Sequence, residues 1–233
     1  MQHDFLILSA LFALPGALVF VLRRDLRRVM AVMVPASLPF AATEFLFYPS
    51  YWHPKFLFDL ADRIGFGIED LLFVAGLGAL TSTAYPFIAR RRLEPLSREE
   101  QSARRIGRRL VDFGATSLVA AALLHWLGVR MIYGTCWIMV GVTGTVLVRR
   151  PDLLVPCSLG ALATCCTYGA LCVVFGVFLP DVFRLAWNTH QFSNVFVLGI
   201  PLEELLYGTS AGFAGTAVYP YVFAMRYSAM APE

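Results

Sequence analysis

The sequence predicts an all-α integral membrane protein of seven transmembrane helices, arranged as two parallel three-helix repeats joined by a linker helix. Three observations predict it. Hydrophobic residues make up 58% of the 233 residues and charged residues only 15%, a balance too apolar for an ordinary soluble domain. Seven apolar runs approach the length of roughly 20 residues that a helix needs to cross the hydrocarbon core. One phrase occurs twice, as Glu69-Asp70-Leu71-Leu72-Phe73 and Glu203-Glu204-Leu205-Leu206-Tyr207. At the same offset of 134 residues, Gly78 is answered by Gly212 and Tyr85-Pro86-Phe87 by Tyr219-Pro220-Tyr221. A tryptophan precedes each acidic pair, Trp52 in the first half and Trp187 in the second.

The runs lie near residues 4–22, 29–48, 66–89, 110–129, 131–148, 153–179 and 198–224. The first reads as a span and not as a signal peptide, because Met1-Gln2-His3-Asp4 carries no positive charge and the arginines follow the run. With the second and third runs it forms a first repeat, residues 1–89. The segment from Arg90 to Arg109 is the only long polar stretch and is expected to form a short surface helix. Together with the fourth run it makes the junction, residues 90–130. The last three runs form a second repeat, residues 131–233, fused with the first into one bundle. A three-helix unit copied directly would emerge inverted, and the fourth span restores its orientation. Both acid-bearing helices then run the same way, and the expected relation is a pseudo-twofold axis along the membrane normal.

Orientation follows from the basic residues. Arg23, Arg24, Arg27 and Arg28, the eight arginines between Arg90 and Arg109, then Arg149, Arg150 and Arg226 fall on one side of seven alternating spans. Only Lys55, Arg63, Arg130 and Arg184 fall on the other. The richer side is cytoplasmic, with the N-terminus outside and the C-terminus inside, as in a prokaryotic cell membrane. The net charge of +3 is accounted for by these loops, which read as topology signals and lipid-headgroup contacts rather than a nucleic-acid surface. Cys136, Cys157, Cys165, Cys166 and Cys172 all fall within runs at spacings unlike a zinc site, and read as small buried hydrophobes. Gly65-Phe66-Gly67 and Gly76-Leu77-Gly78 do not extend to a dinucleotide fingerprint. With Gly212 and Gly215 they suit close helix packing.

The acids concentrate at one depth. Glu69 and Asp70 open the third span, Glu203 and Glu204 the seventh, and Glu44 and His125 lie near the same end of the second and fourth. Ionisable groups at such positions are expected to face the bundle interior. Adjacent helical residues point about 100° apart, so each pair can direct one acid to a cavity and the other to a neighbouring helix. A proton donor and a proton acceptor in one apolar site satisfy the requirement of acid–base isomerisation. The competing reading is that first-turn acids satisfy orphan N–H groups and the helix dipole. Phe73 and Tyr207 lie four residues after Glu69 and Glu203, on the same helix face, where an aromatic can stabilise a carbocation. Trp52 and Trp187 are assigned to the interfacial aromatic belt.

At these residues the chain resembles the membrane lycopene cyclase domain family, the flavin-independent type built from two three-helix repeats as paired or fused subunits. That family carries Pro-x-Glu-Glu/Asp before an aromatic-rich apolar helix in each repeat. Gly199-Ile200-Pro201-Leu202-Glu203-Glu204 matches fully, whereas Gly67-Ile68-Glu69-Asp70 keeps the acids but has Gly67 in place of proline. Tyr51-Trp52-His53-Pro54 resembles the segment preceding the first motif. The resemblance implies cyclisation of the ψ-end of a linear carotenoid such as lycopene, or of another isoprenoid, to a β-ionone ring without redox change or cofactor. It implies Glu69 and Glu203 as principal acids with Asp70 and Glu204 supporting; Glu44 and His125 by their depth, and Phe73 and Tyr207 by their helix face, are candidates to line the substrate. Membrane lipid is the expected surroundings and no nucleic-acid partner is implied; whether the chain works alone or as a homo-oligomer stays open. Two other readings stay open. One is a non-catalytic carotenoid or lipid binder whose acids are structural. The other is a Glu-Glu intramembrane protease, which Glu203-Glu204 suggests but no later arginine or histidine motif completes.

Overall fold

The computed structural model describes residues 4–230; Met1, Gln2 and His3, which bear on the signal-peptide question, lie outside them. The chain opens with helix α1, Asp4–Leu22. A single 3-10 turn, Arg24–Leu26, leads into α2, Arg27–Ser37. Pro39 has no N–H to give the carbonyl of Pro35, so the second apolar run continues as a 3-10 helix, Leu38–Leu46. After a loop come the short α3, Leu60–Ile64, closed by Gly65 at φ 88°, and α4, Ile68–Ile88. Strand β1, Arg91–Pro95, precedes α5, Ala103–Trp126, and α6, Met131–Arg149. A second 3-10 turn, Pro151–Leu153, leads into α7, Leu154–Phe178. The short α8, Val182–Ala186, and a two-residue hairpin of β2, Phe196–Val197, and β3, Ile200–Pro201, bring the chain to α9, Leu202–Val222. Strand β4, Met225–Ala229, is the last element.

Helices occupy all seven predicted positions. Five stretches, Asp4–Leu22, Arg24–Leu46, Ile68–Ile88, Met131–Arg149 and Pro151–Phe178, are long and apolar enough to cross a membrane by length and composition. The other two differ from the expectation in composition. α5 starts seven residues ahead of the fourth run, inside the arginine segment, and has no buried residue. In α9, Glu203, Glu204 and a series of Gly, Thr, Ser and Tyr dilute the apolar character. The expected surface helix between Arg90 and Arg109 is corrected: its first part is β1, which pairs antiparallel with β4, and its last part belongs to α5. Left-handed backbone at Arg90 (φ 47°) and Ala224 (φ 50°) turns the chain out of α4 and α9 into these two strands.

α4 and α9 form the centre. α1 and α2 pack on α4, α6 and α7 on α9, and α5 lies outermost against α6. Small residues permit the close contacts: a Cβ added to Gly78 would meet the Ser37 side chain at 2.7 Å, and one on Gly212 would meet Thr164 at 2.5 Å. Arginines tie down the other end of the central pair. Arg23 grips Asp25 and donates to the carbonyls of Pro86 at 3.1 Å and Arg91 at 2.7 Å. Arg150 grips Asp152 and donates to the carbonyls of Pro220 at 3.4 Å and Met225 at 2.9 Å. Each thereby serves one carbonyl left over in the last turn of α4 or α9 and one in the strand that follows.

Three pairs of corresponding residues from the two halves meet each other along α4 and α9. At the acid end Trp52 and Trp187 form a backbone bridge with their rings 5.0 Å apart. Midway, a Cβ added to Gly215 would meet the Thr81 side chain at 2.3 Å, so the two helices cross here in close contact. At the far end Leu93 is in register with Tyr227 at the centre of the β1–β4 pair.

Candidate active site

The carboxylates are set by the first turns of α4 and α9. Gly67 precedes α4 in an extended conformation, and its N–H donates to Asp70 Oδ2 at 2.7 Å. Asp70 thus caps its own helix, an arrangement worth on the order of 1 kcal/mol. Pro201 holds the same place before α9 and has no N–H to offer. Glu204 is therefore released from capping and turns inward. The departure from the repeated motif has a packing counterpart: a Cβ at position 67 would come within 2.5 Å of the Phe56 ring and 2.6 Å of Glu69 Oε2.

Glu69 and Glu203 are each 1% exposed. Glu69 Oε1 accepts the backbone N–H of Leu57 at 2.7 Å. Glu203 Oε1 accepts the backbone N–H of Ser193 at 2.9 Å and the Tyr133 hydroxyl at 2.6 Å. In both, Oε2 is buried without a hydrogen-bond partner in the protein. An unsatisfied buried polar atom typically costs about 1–3 kcal/mol, more when charged, and two of them at corresponding positions call for a functional explanation.

Glu204 is the most heavily bonded acid. Its Oε1 accepts from Tyr51 Oη and from Trp187 Nε1, both at 2.8 Å, and its Oε2 from Tyr168 Oη at 2.5 Å. Burial, then the nearby Glu204 charge, push the Tyr51 phenol well above its ordinary value, which keeps it a hydroxyl donor. Glu44, also buried, accepts Trp52 Nε1 at 2.6 Å and feels the charges of Asp70 and Glu204.

The structure thus brings Glu44, Asp70 and Glu204 together, with Glu69 and Glu203 in the first turns of the same two helices. Tyr207 faces Glu204 and Glu44 and packs on Tyr168, their rings 6.4 Å apart. Phe73 packs against Phe12 at 5.0 Å and Phe5 at 6.4 Å in the same apolar cluster. His125 is not brought in: it is exposed on α5 and has no hydrogen bond to the acids. The assignment of Trp52 and Trp187 to the interfacial belt is corrected. Both are buried, and their N–H groups satisfy carboxylates that would otherwise lack donors. Tyr51, Tyr133 and Tyr168 are donors that the sequence reading missed. A signal existed for Tyr51, which lies in the Tyr51-Trp52-His53-Pro54 segment; Tyr133 and Tyr168 stand in apolar runs where nothing marks them. On the other side of the two tryptophans lies a cavity of about 190 Å³, lined by Phe5, Leu8, His53 and Phe175 among others.

These features define a helical protein of membrane-spanning composition with a buried cluster of carboxylates at one end of a central helix pair. Comparison with known families is specific. The family model of lycopene cyclase matches residues 130–222, from the turn before α6 to the end of α9, the stretch that carries Tyr133, Tyr168, Trp187, Glu203 and Glu204. Over that stretch the chain matches the lycopene cyclase family, a match that points to cyclase chemistry on a carotenoid. No curated protein and no solved structure matches the chain.

Proposed function

We propose that this protein is a redox-neutral carotenoid end-group cyclase that converts a linear ψ-end, such as that of lycopene, into a β-ring. The observation that carries the proposal is the pair Glu69 and Glu203, each with one oxygen anchored and the other bare and buried. A bare buried oxygen is well suited to give a proton to a carbon or take one from it, because no donor of the protein competes for that oxygen.

In the proposed reaction a carboxylic acid gives its proton to the terminal double bond, leaving a tertiary cation. An internal double bond attacks that cation, forming the ring bond and moving the charge onto a ring carbon. A carboxylate then removes a proton from the adjacent ring carbon, and the new double bond restores neutrality. One proton enters and one leaves, so the product is an isomer of the substrate. Glu69, with one hydrogen-bond donor, fits the proton donor. Glu203, with two, fits the acceptor, because each donor favours the ionised form. Phe73 and Tyr207 supply aromatic faces for the cation.

The same proposal takes the molecule as two parallel three-helix repeats, residues 1–89 and 131–233, around an axis along the membrane normal, with residues 90–130 as junction. The arginine forks and the three meetings of corresponding residues support it. Seven spans with the arginine-rich end in the cytoplasm complete the arrangement.

The test is pigment chromatography of lycopene-accumulating cells expressing wild type, Glu69→Gln and Glu203→Gln at matched membrane levels. Wild type is expected to yield cyclic carotene, and each variant to lose at least about 100-fold of that conversion, the lower end of what general acid–base groups contribute. Unchanged lycopene with folded wild-type protein would overturn the cyclase reading and leave a non-catalytic isoprenoid binder.

A further inference from the structure

Every polar neighbour bonded to Glu204 points a hydrogen at it. Tyr51 comes from the loop of the first half, Tyr168 from the middle of α7 and Trp187 from the end of α8. An indole N–H can only donate. Among the described residues neither tyrosine hydroxyl donates to any group other than Glu204. Were Glu204 protonated, the three bonds would lose the charge that strengthens them, and its proton would need an acceptor among groups that all donate to it. Tyr51 and Tyr168 are 6% and 2% exposed, so water does not readily supply that acceptor. The remaining groups facing Glu204 are Glu44, Tyr207, Cys136 and Cys172, none of them a cation.

Glu44 lies within reach of the charges of both Asp70 and Glu204, and carboxylates that share an apolar site do not all ionise. The donors decide which one does. Glu44 has a single indole N–H and Asp70 a single backbone N–H that also caps α4. Glu204 has three donors gathered from both halves of the chain. Fixed donors around a charge in a dry site are also worth far more than the same bonds in water.

We propose that Tyr51, Tyr168 and Trp187 are positioning residues that hold Glu204 as a permanent carboxylate anion, the fixed negative charge of the site. Glu204 is then a counter-charge for a cationic intermediate rather than the proton donor. What the charge acts on rests on the cyclase reading; the charge itself does not. The assignment separates Glu204 from Asp70, its counterpart in the repeated motif, which is spent on capping because position 67 retains an N–H.

Infrared difference spectroscopy of the purified full-length protein in lipid tests this. The wild-type-minus-Glu204→Gln difference spectrum should show a positive ionised-carboxylate stretch and no band in the protonated-carboxyl carbonyl region. Tyr168→Phe removes one donor and should shift that carboxylate band, while lowering kcat on lycopene at least about tenfold at unchanged KM, in line with loss of one hydrogen bond to a charged group. If Glu204→Gln does not fold, the band shift in Tyr168→Phe, and in Tyr51→Phe beside it, carries the test. Loss of a protonated-carboxyl band on Glu204→Gln, or tyrosine variants with an unshifted carboxylate band, would overturn the proposal. The expected bands in a wild type that forms no cyclic carotene would overturn the cyclase reading alone.

Discussion

Gly67 shows how one residue divides labour between two copies of a motif. Its N–H reaches Asp70, its missing side chain admits the Phe56 ring, and the same gap leaves room for Glu69 Oε2. Pro201 offers no N–H, and Glu204 is free to collect donors from across the molecule. Gly67→Ala keeps the N–H but adds a methyl group 2.5 Å from an aromatic carbon and 2.6 Å from a carboxylate oxygen. Overpacking of this kind costs about 1–3 kcal/mol, and the added methyl also presses on a principal acid. The expected outcome is a lower thermal unfolding midpoint together with reduced conversion of lycopene. A variant with wild-type midpoint and wild-type conversion would show that the glycine is not required by its surroundings. In the sequence, Gly67 stood out as a packing glycine and as a residue in place of the proline of the second motif. What it does depends on Phe56, whose ring reaches it through a loop with left-handed turns at Phe58 and Asp59.

The helices were legible because each apolar run carries its own length, and α1, α4, α6 and α7 fall within two residues of the predicted limits. The strands were not. Arg91–Pro95 and Met225–Ala229 have no clean alternation, and each becomes a strand only because the other lies alongside. The arginines flanking them were read as topology signals and lipid-headgroup contacts. Arg23 and Arg150 also act as clasps: each is largely buried and forks between an aspartate two residues on, a carbonyl in the last turn of α4 or α9 and a carbonyl in the strand that follows. Hydrogen bonds to charged groups contribute roughly 1.5–3 kcal/mol. Arg150→Ala, which frees the carbonyls of Pro220 and Met225, should therefore destabilise the protein by about that amount, and Arg23→Ala by a similar one. Thermal unfolding of the two variants beside wild type checks both the size and the equivalence. A large effect at one position and none at the other would contradict matched roles for the two clasps.

The site cannot be completed by either half of the chain. Glu204 stands on α9 but takes one of its three donors from Tyr51; Trp52 and Trp187 bridge the halves directly, and β1 needs β4. α4 and α9 bury most of their length against other helices; each half alone would expose those small-residue faces, and the second would lose the Tyr51 donor to Glu204. The connection between halves is slight by comparison. α5 has no buried residue, and the turn at Gly128, at φ 67° with open space around it, links it to α6. Covalent continuity there should matter little so long as both halves reach the same membrane. Residues 1–128 and 129–233, expressed together as separate chains, are expected to co-purify and to restore cyclic carotene formation in lycopene-accumulating cells. Either piece alone should give none, whatever its membrane level. Cyclisation by the second piece alone, which contains all of the stretch matched by the lycopene cyclase family, would mean that the donors and acids of the first half are dispensable. It would remove the basis for treating the two glutamates as one donor–acceptor pair.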